Sequence, residues 1–372
     1  MILRYQPALR LSRSAFQLLY RPGLWLSRIQ ARRAFREIPA NLELPFPRTI
    51  CLEPTLRCNL SCNYCYQQHS RSRKDKELTL DQIRGIFDGL QPEHIKLIGG
   101  EVLLRDDALE LIEWASSRSR SITLVSNGSL LDSEKVAFLK GLRNLHRLSI
   151  SSAHMPDGKL TPLAHIQKIA PFTRDLAGSV PLLAQLVVGG DNTEEIRSVI
   201  DELPQAGFRI ALLMIEMIYD QQEIDRSREM LETEMGWQGG GLLSLPPPGT
   251  MRSSLSELSD AVNDIRKYAA KRGVFAFCEL MYGIDRIQRF YKAKEPEGTQ
   301  VVCRYLIEPT LRVDPYGNVI FCQNIRQPLG NLLHQKPDQI WNGEPMLRLR
   351  RLLLEGNFLP ICRRCCRFVH LA

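Results

Sequence analysis

The sequence predicts an α/β protein in which helices cover a parallel sheet. Two observations predict this class. Short apolar strands alternate with amphipathic helices over residues 49–215, and this order is typical of parallel strands joined by helical crossovers. The motifs that could carry chemistry come directly after these strands, and parallel α/β folds place their active sites at the C-terminal ends of the strands.

The elements follow one another in a regular order. Six strands are predicted, at residues 49–53, 94–98, 122–125, 146–150, 181–188 and 208–215. Helices are predicted between them, at residues 80–89, 106–117, 133–141, 162–172 and 193–203. The first helix begins after Thr79-x-x-Gln82, which is typical of a capping box. Residues 219–250 contain Gly239–Gly241 and Pro246–Pro248, so we expect a loop there, followed by a helix at 255–271 and an apolar run at 274–278.

Composition places the chain among ordinary globular proteins. It has 372 residues, 44% of them apolar and 24% charged, with a formal net charge of +8. No run of eighteen apolar residues is present, so no membrane-spanning helix is predicted. The ten cysteines bunch at 58–65 and 362–366, and no secretory signal pattern is seen. This combination favours metal thiolates in a reducing compartment, so we expect a cytoplasmic protein.

Cys58, Cys62 and Cys65 lie within eight positions on the loop after the first strand. Three thiolates at this spacing can bind three irons of an iron–sulfur cube and leave the fourth iron without a protein ligand. An iron with an open position can bind and activate a small molecule. A zinc site would require a fourth Cys or His nearby. His69 is the only candidate, at a spacing that is not typical of zinc sites.

This spacing, with Tyr64 just before the last cysteine, resembles the signature of radical S-adenosylmethionine (SAM) enzymes. Three later segments are similar to the family's SAM-contacting segments: Ile98-Gly99-Gly100-Glu101, Ser126-Asn127-Gly128 and Ser149-Ile150-Ser151-Ser152. The resemblance implies that Glu101 contacts the amino group of the SAM methionine and that the segment from Ser149 lies near the ribose. Many family members carry Asp in that last segment, where this chain has Ser. The resemblance also implies a partial (β/α)6 barrel with six repeats.

A second set of cysteines lies near the C-terminus. Cys303 and Cys322 flank Asp314-Pro315-Tyr316-Gly317, which predicts a hairpin turn between apolar strands. Cys362-x2-Cys365 follows a helix predicted around 337–354. This order resembles the auxiliary iron–sulfur module of radical SAM enzymes (SPASM), in its shorter one-cluster form called Twitch.

The resemblance implies that one auxiliary [4Fe–4S] cluster is held by Cys303, Cys322, Cys362 and Cys365. The adjacent Cys366 is the alternative to Cys365, and a structural zinc ion is the alternative occupant, since four thiolates suit zinc equally well. The vicinal pair Cys365-Cys366 would also suit a soft ion such as trivalent arsenic. Cys51 and Cys278 lie in apolar runs and are predicted to pack in the core.

Four regions follow from these motifs: a basic amphipathic N-terminal segment (1–46), the radical SAM partial barrel (47–218), a linker and helical connection (219–300) and a Twitch-like or SPASM-like module (301–372). Eight arginines between Arg4 and Arg36 face a single acid, Glu37, with apolar residues between them. This pattern is compatible with peripheral contact at an anionic inner-membrane surface, with a transit peptide or with helices packed on the barrel.

The resemblance implies that the enzyme cleaves SAM reductively to a 5′-deoxyadenosyl radical, which abstracts hydrogen from the substrate. A flavodoxin or ferredoxin would supply the electron. Because four cysteines leave no vacant iron in the auxiliary cluster, we expect that cluster to accept an electron, which favours oxidation of a small molecule. A peptide maturase is the alternative, a carbon–arsenic bond-forming enzyme is a minor one, and an iron–sulfur electron carrier is the non-enzymatic one. No nucleic-acid partner is expected.

Overall fold

The structure is a computed structural model that describes residues 29–62, 64–67, 73–152, 160–189, 191–215, 217–239, 243, 245, 255–278, 301–355 and 358–371. Three features of the sequence analysis lie outside these residues: the arginines between Arg4 and Arg28, the zinc candidate His69 and the run Pro246–Pro248.

A ten-stranded sheet forms the centre of the described structure, with the strand order β11-β10-β9-β1-β2-β3-β4-β5-β6-β7. Neighbouring strands from β9 to β7 in this order run parallel, and the β9–β10–β11 edge is antiparallel. The strands are β1 (Thr49–Leu52), β2 (His94–Leu97), β3 (Ser121–Ser126), β4 (Leu145–Ser151), β5 (Leu182–Val188), β6 (Ile210–Ile215), β7 (Phe275–Cys278), β8 (Val301–Cys303), β9 (Thr310–Val313), β10 (Asn318–Ile320), β11 (Gly330–Asn331) and β12 (Phe368–His370). The predicted α/β class with a parallel sheet is confirmed.

Helices lie between the strands along the chain. They are α1 (Leu80–Ile86), α2 (Ala108–Arg118), α3 (Ser133–Gly141), α4 (Pro162–Leu176), α5 (Thr193–Glu202), α6 (Gln221–Met235), α7 (Leu255–Lys271), α8 (Arg304–Ile307), α9 (Pro337–Trp341) and α10 (Glu344–Leu354). The capping box of α1 is confirmed, because Gln82 N donates to Thr79 Oγ1 at 3.2 Å and Thr79 N donates to Gln82 Oε1 at 2.9 Å.

The two faces of the sheet differ sharply. Side chains that alternate along the strands, such as Ile50, Leu97, Leu124 and Leu148, are buried against the helices in one large core. The opposite face, called the inner face below, carries polar side chains on β9 and β1–β4. On β5–β7 it carries a separate apolar cluster around Leu212. The main core therefore lies between sheet and helices, and the inner face is left for other roles.

Residues 219–250 were expected to form a loop, and that expectation is wrong for their first part. The helix α6 begins after Asp220, whose carboxylate accepts from Glu223 N at 2.7 Å while Glu223 accepts from Asp220 N at 3.2 Å. It ends at Gly236, which has a φ of +69°. The sequence Asp220-x-x-Glu223 therefore indicated the start of a helix, but the prediction gave more weight to the Gly and Pro residues that follow.

The parallel sheet is also wider than the six strands predicted. The apolar run at 274–278 forms β7, which pairs in parallel with β6. Strand β9, from the cysteine-rich C-terminal region, pairs in parallel with β1. Eight strands of the described structure are therefore parallel. The helix predicted around 337–354 is two helices, because the chain bends at Gly343 between α9 and α10.

Strands β9 and β10 form the predicted hairpin, and Gly317 in its turn has a φ of +81°. A second, two-stranded sheet pairs β8 with β12 in antiparallel fashion and sets Phe368 opposite Cys303. Residues 29–36 are helical, and the guanidinium of Arg32 donates to the carbonyl of Leu371. None of the described helices is both long and apolar enough to cross a membrane.

Candidate functional site

The cysteine loop leaves the C-terminal end of β1. Cys58, Cys62 and Cys65 are all half-buried there. Two of the thiols accept backbone hydrogen bonds from two residues ahead: Leu60 N donates to Cys58 Sγ and Gln67 N donates to Cys65 Sγ, both at 3.4 Å. Hydrogen bonds to sulfur are among the means by which a protein tunes an iron–sulfur cluster. These contacts hold Cys58 Sγ and Cys65 Sγ against the backbone of the loop.

Gly99 and Gly100 allow the segment that follows β2 to lie directly against this loop. Gly100 N donates to Thr55 O at 2.9 Å, and Glu101 N donates to Arg57 O at 2.8 Å. A Cβ at Gly99 would lie 2.2 Å from Thr55 O, and one at Gly100 would lie 2.1 Å from Arg57 O. The two glycines are therefore required by the close approach of two backbone segments.

Glu101 is fully buried and organises the next loop. Its Oε1 accepts from Ser126 Oγ at 2.9 Å and from Leu103 N at 3.0 Å, and its Oε2 accepts from Asn127 N at 2.7 Å. Burial raises the pKa of this carboxyl, and the three hydrogen bonds act in the opposite direction. A carboxylate has about four acceptor positions, so one remains for a further donor such as an ammonium group.

Asn127 connects this network to the cysteine loop. Its side-chain Nδ2 donates to Asn59 Oδ1 at 3.0 Å and lies 3.8 Å from Cys58 Sγ. Its Oδ1 accepts from Ser129 N at 2.8 Å. The predicted cofactor residues Glu101, Ser126 and Asn127 are therefore brought together with the first cysteine.

The two predicted serines of β4 take different places. Ser149 is fully buried, whereas Ser151 is half-buried and its hydroxyl donates to Gln185 Oε1 at 2.9 Å. The hydroxyl of Tyr64 donates to the carbonyl of Ser152, so the cysteine loop also contacts the end of β4. Ser151 and Tyr64 thus lie at the C-terminal rim of the sheet, and Ser149 lies one step below it.

Burial raises the pKa of the Cys58 thiol, and the hydrogen bond from Leu60 N lowers it. No three His, Cys, Asp or Glu side chains among the described residues are close enough to share a single ion. A cube makes a different demand, since each thiolate bonds its own iron. Half-buried thiols with N–H donors on a short loop fit that demand.

Four of the C-terminal cysteines surround one cavity. Cys303, Cys322, Cys362 and Cys365 line it together with aromatic and aliphatic side chains. Ile325 N donates to Cys322 Sγ at 3.3 Å, and Arg367 N donates to Cys365 Sγ at 3.4 Å. The same kind of N–H···S contact therefore appears in both cysteine sites.

The thiols of this cavity lie in a medium that disfavours their charged form. Burial, together with the smaller effect of the neighbouring Cys322, raises the pKa of Cys303 to about 12. Burial also raises the pKa of Cys322 and of Cys362. Such thiols remain protonated unless a metal centre binds them, and metal coordination deprotonates a thiol outright.

Cys365 and Cys366 are separated by the local fold. The segment Pro360–Arg364 is a 3-10 helix, and Cys365 N donates to Cys362 O at 3.0 Å after it ends. Cys365 lines the cavity with the other three cysteines, and Cys366 is not among the lining residues. We therefore propose Cys365 as the fourth ligand, with Cys366 beside it.

A buried charge cluster joins the two cysteine regions. The Glu53 carboxylate accepts from Arg312 and, at 2.6 Å, from Arg326. Arg312 also donates to Tyr305 Oη at 3.3 Å, and Tyr305 lines the C-terminal cavity. Glu53 precedes the first cysteine loop, so this cluster fixes the position of that loop relative to the C-terminal module.

Several of these residues escaped the sequence analysis. Glu53 and Gln185 are polar residues at the end of, or inside, apolar strands, and that contrast was a usable signal. His165 in α4 is fully buried, and burial lowers its pKa to about 4. The carbonyl of Asn127 acts in the opposite direction on that pKa. Nothing in the sequence around His165 pointed to this contact.

Comparison with known proteins identifies both regions. The model of the radical SAM superfamily matches residues 52–231, and the model of the iron–sulfur cluster-binding domain SPASM matches residues 303–366. Radical SAM proteins hold a [4Fe–4S] cluster and SAM, and SPASM domains hold auxiliary iron–sulfur clusters. The two cysteine sites described above lie inside these two ranges.

Individual relatives are more distant. The chain is 29% identical over 164 residues to the PqqA peptide cyclase of Bradyrhizobium diazoefficiens, which is 41% of this chain and 42% of that protein. It is 28% identical over 194 residues to the GTP 3′,8-cyclase of Marinobacter nauticus, covering 49% of this chain and 58% of that one. The matches thus span about half of each relative's length.

The fold is similar to that of SuiB from Streptococcus suis, solved with its precursor peptide SuiA. The TM-score is 0.55 at 13% identity, over 85% of this chain and 69% of SuiB. At this identity the likeness concerns the fold. The two family matches lead to one conclusion: the chain contains a radical SAM domain over residues 52–231 and a C-terminal iron–sulfur cluster-binding domain of the SPASM type over residues 303–366.

Proposed function

We propose that this radical SAM enzyme modifies a peptide. The observation that carries the proposal is the width of the inner face. Half-buried side chains continue across six adjacent strands: Lys96, Val125, Ser151, Gln185, Met214 and Phe277. Five strand spacings of about 4.8 Å span about 24 Å, the length of about seven extended residues. The similarity to a peptide cyclase supports the same substrate class.

The residues divide the work in this proposal. Cys58, Cys62 and Cys65 hold the cluster, which together with SAM supplies a radical that removes a hydrogen atom from the substrate. Glu101 holds the loop at Asn127 in place and offers its remaining acceptor position to the SAM ammonium. Gln185 and Ser151, at the rim, orient what lies above the inner face. Cys303, Cys322, Cys362 and Cys365 hold one auxiliary cluster.

A second candidate is the oxidation of a small molecule, with the auxiliary cluster as electron acceptor. The similarity to a GTP 3′,8-cyclase, which covers 49% of this chain, favours a small substrate. A set of four cysteine ligands favours an electron-accepting role, since it leaves no vacant iron for substrate. The two candidates share the SAM chemistry and differ in what occupies the inner face.

Turnover of SAM with a peptide tests the proposal. The chain would be reconstituted anaerobically, reduced, and supplied with SAM and with short peptides encoded beside its gene. We expect a peptide to increase the yield of 5′-deoxyadenosine and to change in mass. Cys62→Ala should abolish both signals, and Cys278→Ala, which replaces a buried core cysteine, should retain them.

Two results would contradict the proposal. The first is 5′-deoxyadenosine formation that no such peptide stimulates but a small metabolite does, which would favour the second candidate. The second is full SAM turnover by Cys62→Ala, which would remove the cysteine loop from the chemistry altogether.

A further inference from the structure

The inner face of the sheet is divided into two chemically different halves. Its apolar half lies on β5–β7 and comprises the buried Leu183, Ile210 and Leu212 with the half-buried Met214, Phe275 and Phe277. Its polar half lies on β9 and β1–β4. The inner face of these strands carries polar and charged side chains, whereas the other face of the same strands is apolar.

One row of the polar half is strongly basic. The register of the sheet places five residues side by side across five strands. They are Arg312, Cys51, Lys96, Thr123 and Arg147. Paired residues of neighbouring strands project on the same side of a sheet. Three of the five are cationic, so the row, called the basic row below, concentrates positive charge on the inner face.

A carboxylate, that of Glu53, contacts the basic row. Glu53 is shared between two guanidinium groups, those of Arg312 and Arg326. The groups that act most strongly on Lys96 are the Cys51 thiol and the guanidinium groups of Arg367, Arg312 and Arg147. Burial has the largest effect on Lys96, and together with the three guanidinium groups it lowers the pKa of Lys96 to about 8. An anion bound beside Lys96 would relieve the repulsion.

Two hydroxyl groups lie at the same place without hydrogen-bond partners. Thr123 stands between Lys96 and Arg147 in the row and is fully buried, and Ser149 follows Arg147 by two residues on the same face and is also fully buried. Neither Thr123 Oγ1 nor Ser149 Oγ has a partner in the described structure. Buried hydroxyl groups are nearly always hydrogen-bonded, so these two point to an acceptor that binds between them and Lys96.

We infer that the basic row is a receptor for a carboxylate of the substrate, and that the apolar half next to it receives an aliphatic or aromatic side chain. The inference rests on the proposed function and specifies it. The preferred peptide would carry an acidic residue beside an apolar one. A planar carboxylate suits an ammonium group flanked by hydroxyl donors, since charge-assisted hydrogen bonds are about twice as strong as neutral ones.

SAM also carries a carboxylate, so SAM is an alternative ligand of the basic row. The depth of the row along the strands distinguishes a substrate carboxylate from that of SAM. Arg147 lies two residues below Ser149 and four below Ser151 on β4, which is about 7 Å and about 13 Å along the strand. Glu101 and Asn127, which the resemblance assigns to SAM, lie at the rim with Ser151. The basic row is therefore closer to the floor of the inner face than Glu101, Asn127 and Ser151, and Ser149 lies between the two levels.

A pair of capped peptides tests the inference. The acetylated and amidated tetrapeptides Gly-Glu-Phe-Gly and Gly-Gln-Phe-Gly differ only in the acidic group. Their affinities for the reconstituted full-length chain would be measured by calorimetry. We expect the Glu peptide to bind about tenfold more tightly than the Gln peptide. It should also protect Lys96 from reductive methylation, read by mass spectrometry, whereas the Gln peptide should not.

Three variants locate the effect. Lys96→Gln should reduce the preference for the Glu peptide to less than about twofold. Arg48→Gln, which removes an exposed guanidinium group, is the matched control and should retain it. Thr123→Val should weaken binding of the Glu peptide several-fold and raise the melting temperature, because it removes a buried hydroxyl without a partner. It keeps the test decisive if Lys96→Gln does not fold.

Each remaining outcome decides the inference. Equal affinity for the two peptides, or no binding of either, would overturn it and leave ordered water as the partner of the hydroxyls. A weaker SAM affinity in Lys96→Gln would assign the row to SAM and overturn it as well. If N-acetylglutamate binds as tightly as the Glu peptide and with the same dependence on Lys96, the carboxylate receptor stands and the peptide function fails.

Discussion

Replacing Gly100 by alanine should prevent iron binding at Cys58, Cys62 and Cys65. Iron binding at the C-terminal cysteine site should be unchanged. The added Cβ would lie 2.1 Å from Arg57 O and 2.6 Å from Arg57 C, both of them backbone atoms. Ordinary contacts begin near 3.4 Å, so the backbone next to Cys58 would have to move by about 1 Å. A flexible side chain could yield at little cost, but backbone cannot.

The neighbouring structure opposes that movement. The buried Glu77 carboxylate holds the segment from its far side, accepting from Thr55 Oγ1 at 2.5 Å and from Arg57 Nη2 at 3.0 Å. On the near side, the hydrogen bonds from Gly100 N and Glu101 N would lengthen. Loss of two backbone hydrogen bonds at about 1 kcal/mol each, with strain of similar size, gives about 2–4 kcal/mol.

Iron content and SAM binding measure the consequence. Two cubes correspond to about eight irons per chain, and Gly100→Ala should retain about four and lose SAM affinity. Gly85→Ala is the matched control. Its Cβ would meet nothing within 4 Å in α1, and a helical Gly→Ala change stabilises by about 0.5–1 kcal/mol. Full iron content and unchanged SAM affinity in Gly100→Ala would refute the idea that this close approach positions the cysteine loop.

Two further predictions concern other parts of the chain. Cys365→Ser should lose the second set of about four irons, whereas Cys366→Ser should keep it; the reverse result in iron analysis would exchange the two assignments. His94 Nδ1 and Ser121 Oγ form a hydrogen bond of 2.8 Å. Burial of His94, aided by nearby cations, lowers its pKa to about 3. Below pH 6.5 His94 becomes protonated in the unfolded chain but stays neutral in the folded chain. The free energy of unfolding should therefore decrease as the pH is lowered, by up to about 1.4 kcal/mol per pH unit. Urea unfolding between pH 7.5 and 5 should therefore be less pH-dependent in His94→Asn than in the wild type or in the exposed His334→Gln, and parallel profiles would contradict this.

Local signals in the sequence were reliable where the structure depends on neighbours in the chain. The capping box at Thr79 and the turn ending at Gly317 are formed as predicted, because their hydrogen bonds join residues a few positions apart. Helix α4 continues to Leu176 past Pro171, although the prediction ended it at 172. Packing of its buried face, including Thr173 and Leu176, outweighs the cost of the proline.

Contacts between distant residues could not be predicted in the same way. The choice between Cys365 and Cys366 depends on the pairing of β12 with β8, which no local pattern encodes. The burial of Ser149 and the basic row depend on the register of five strands. Cys51 is buried as expected, yet its row neighbours are Lys96 and Arg312 rather than apolar side chains. Motifs formed by adjacent residues could thus be predicted from the sequence. Which of them share a surface could be seen only from the register of the sheet.

The pairing of β1 with β9 has a consequence for the order in which the protein matures. Thr49 is aligned with Thr310, so the strand that leads into the first cysteine loop acquires one of its two neighbours only after most of the chain has been synthesised. Pairing between such remote segments forms slowly and late. Glu53 likewise waits for Arg312 and Arg326. We therefore expect iron insertion at the proposed ligands Cys58, Cys62 and Cys65 to follow synthesis of β9. A nascent chain that stalls before residue 313 should expose an unpaired strand edge beside these three thiols.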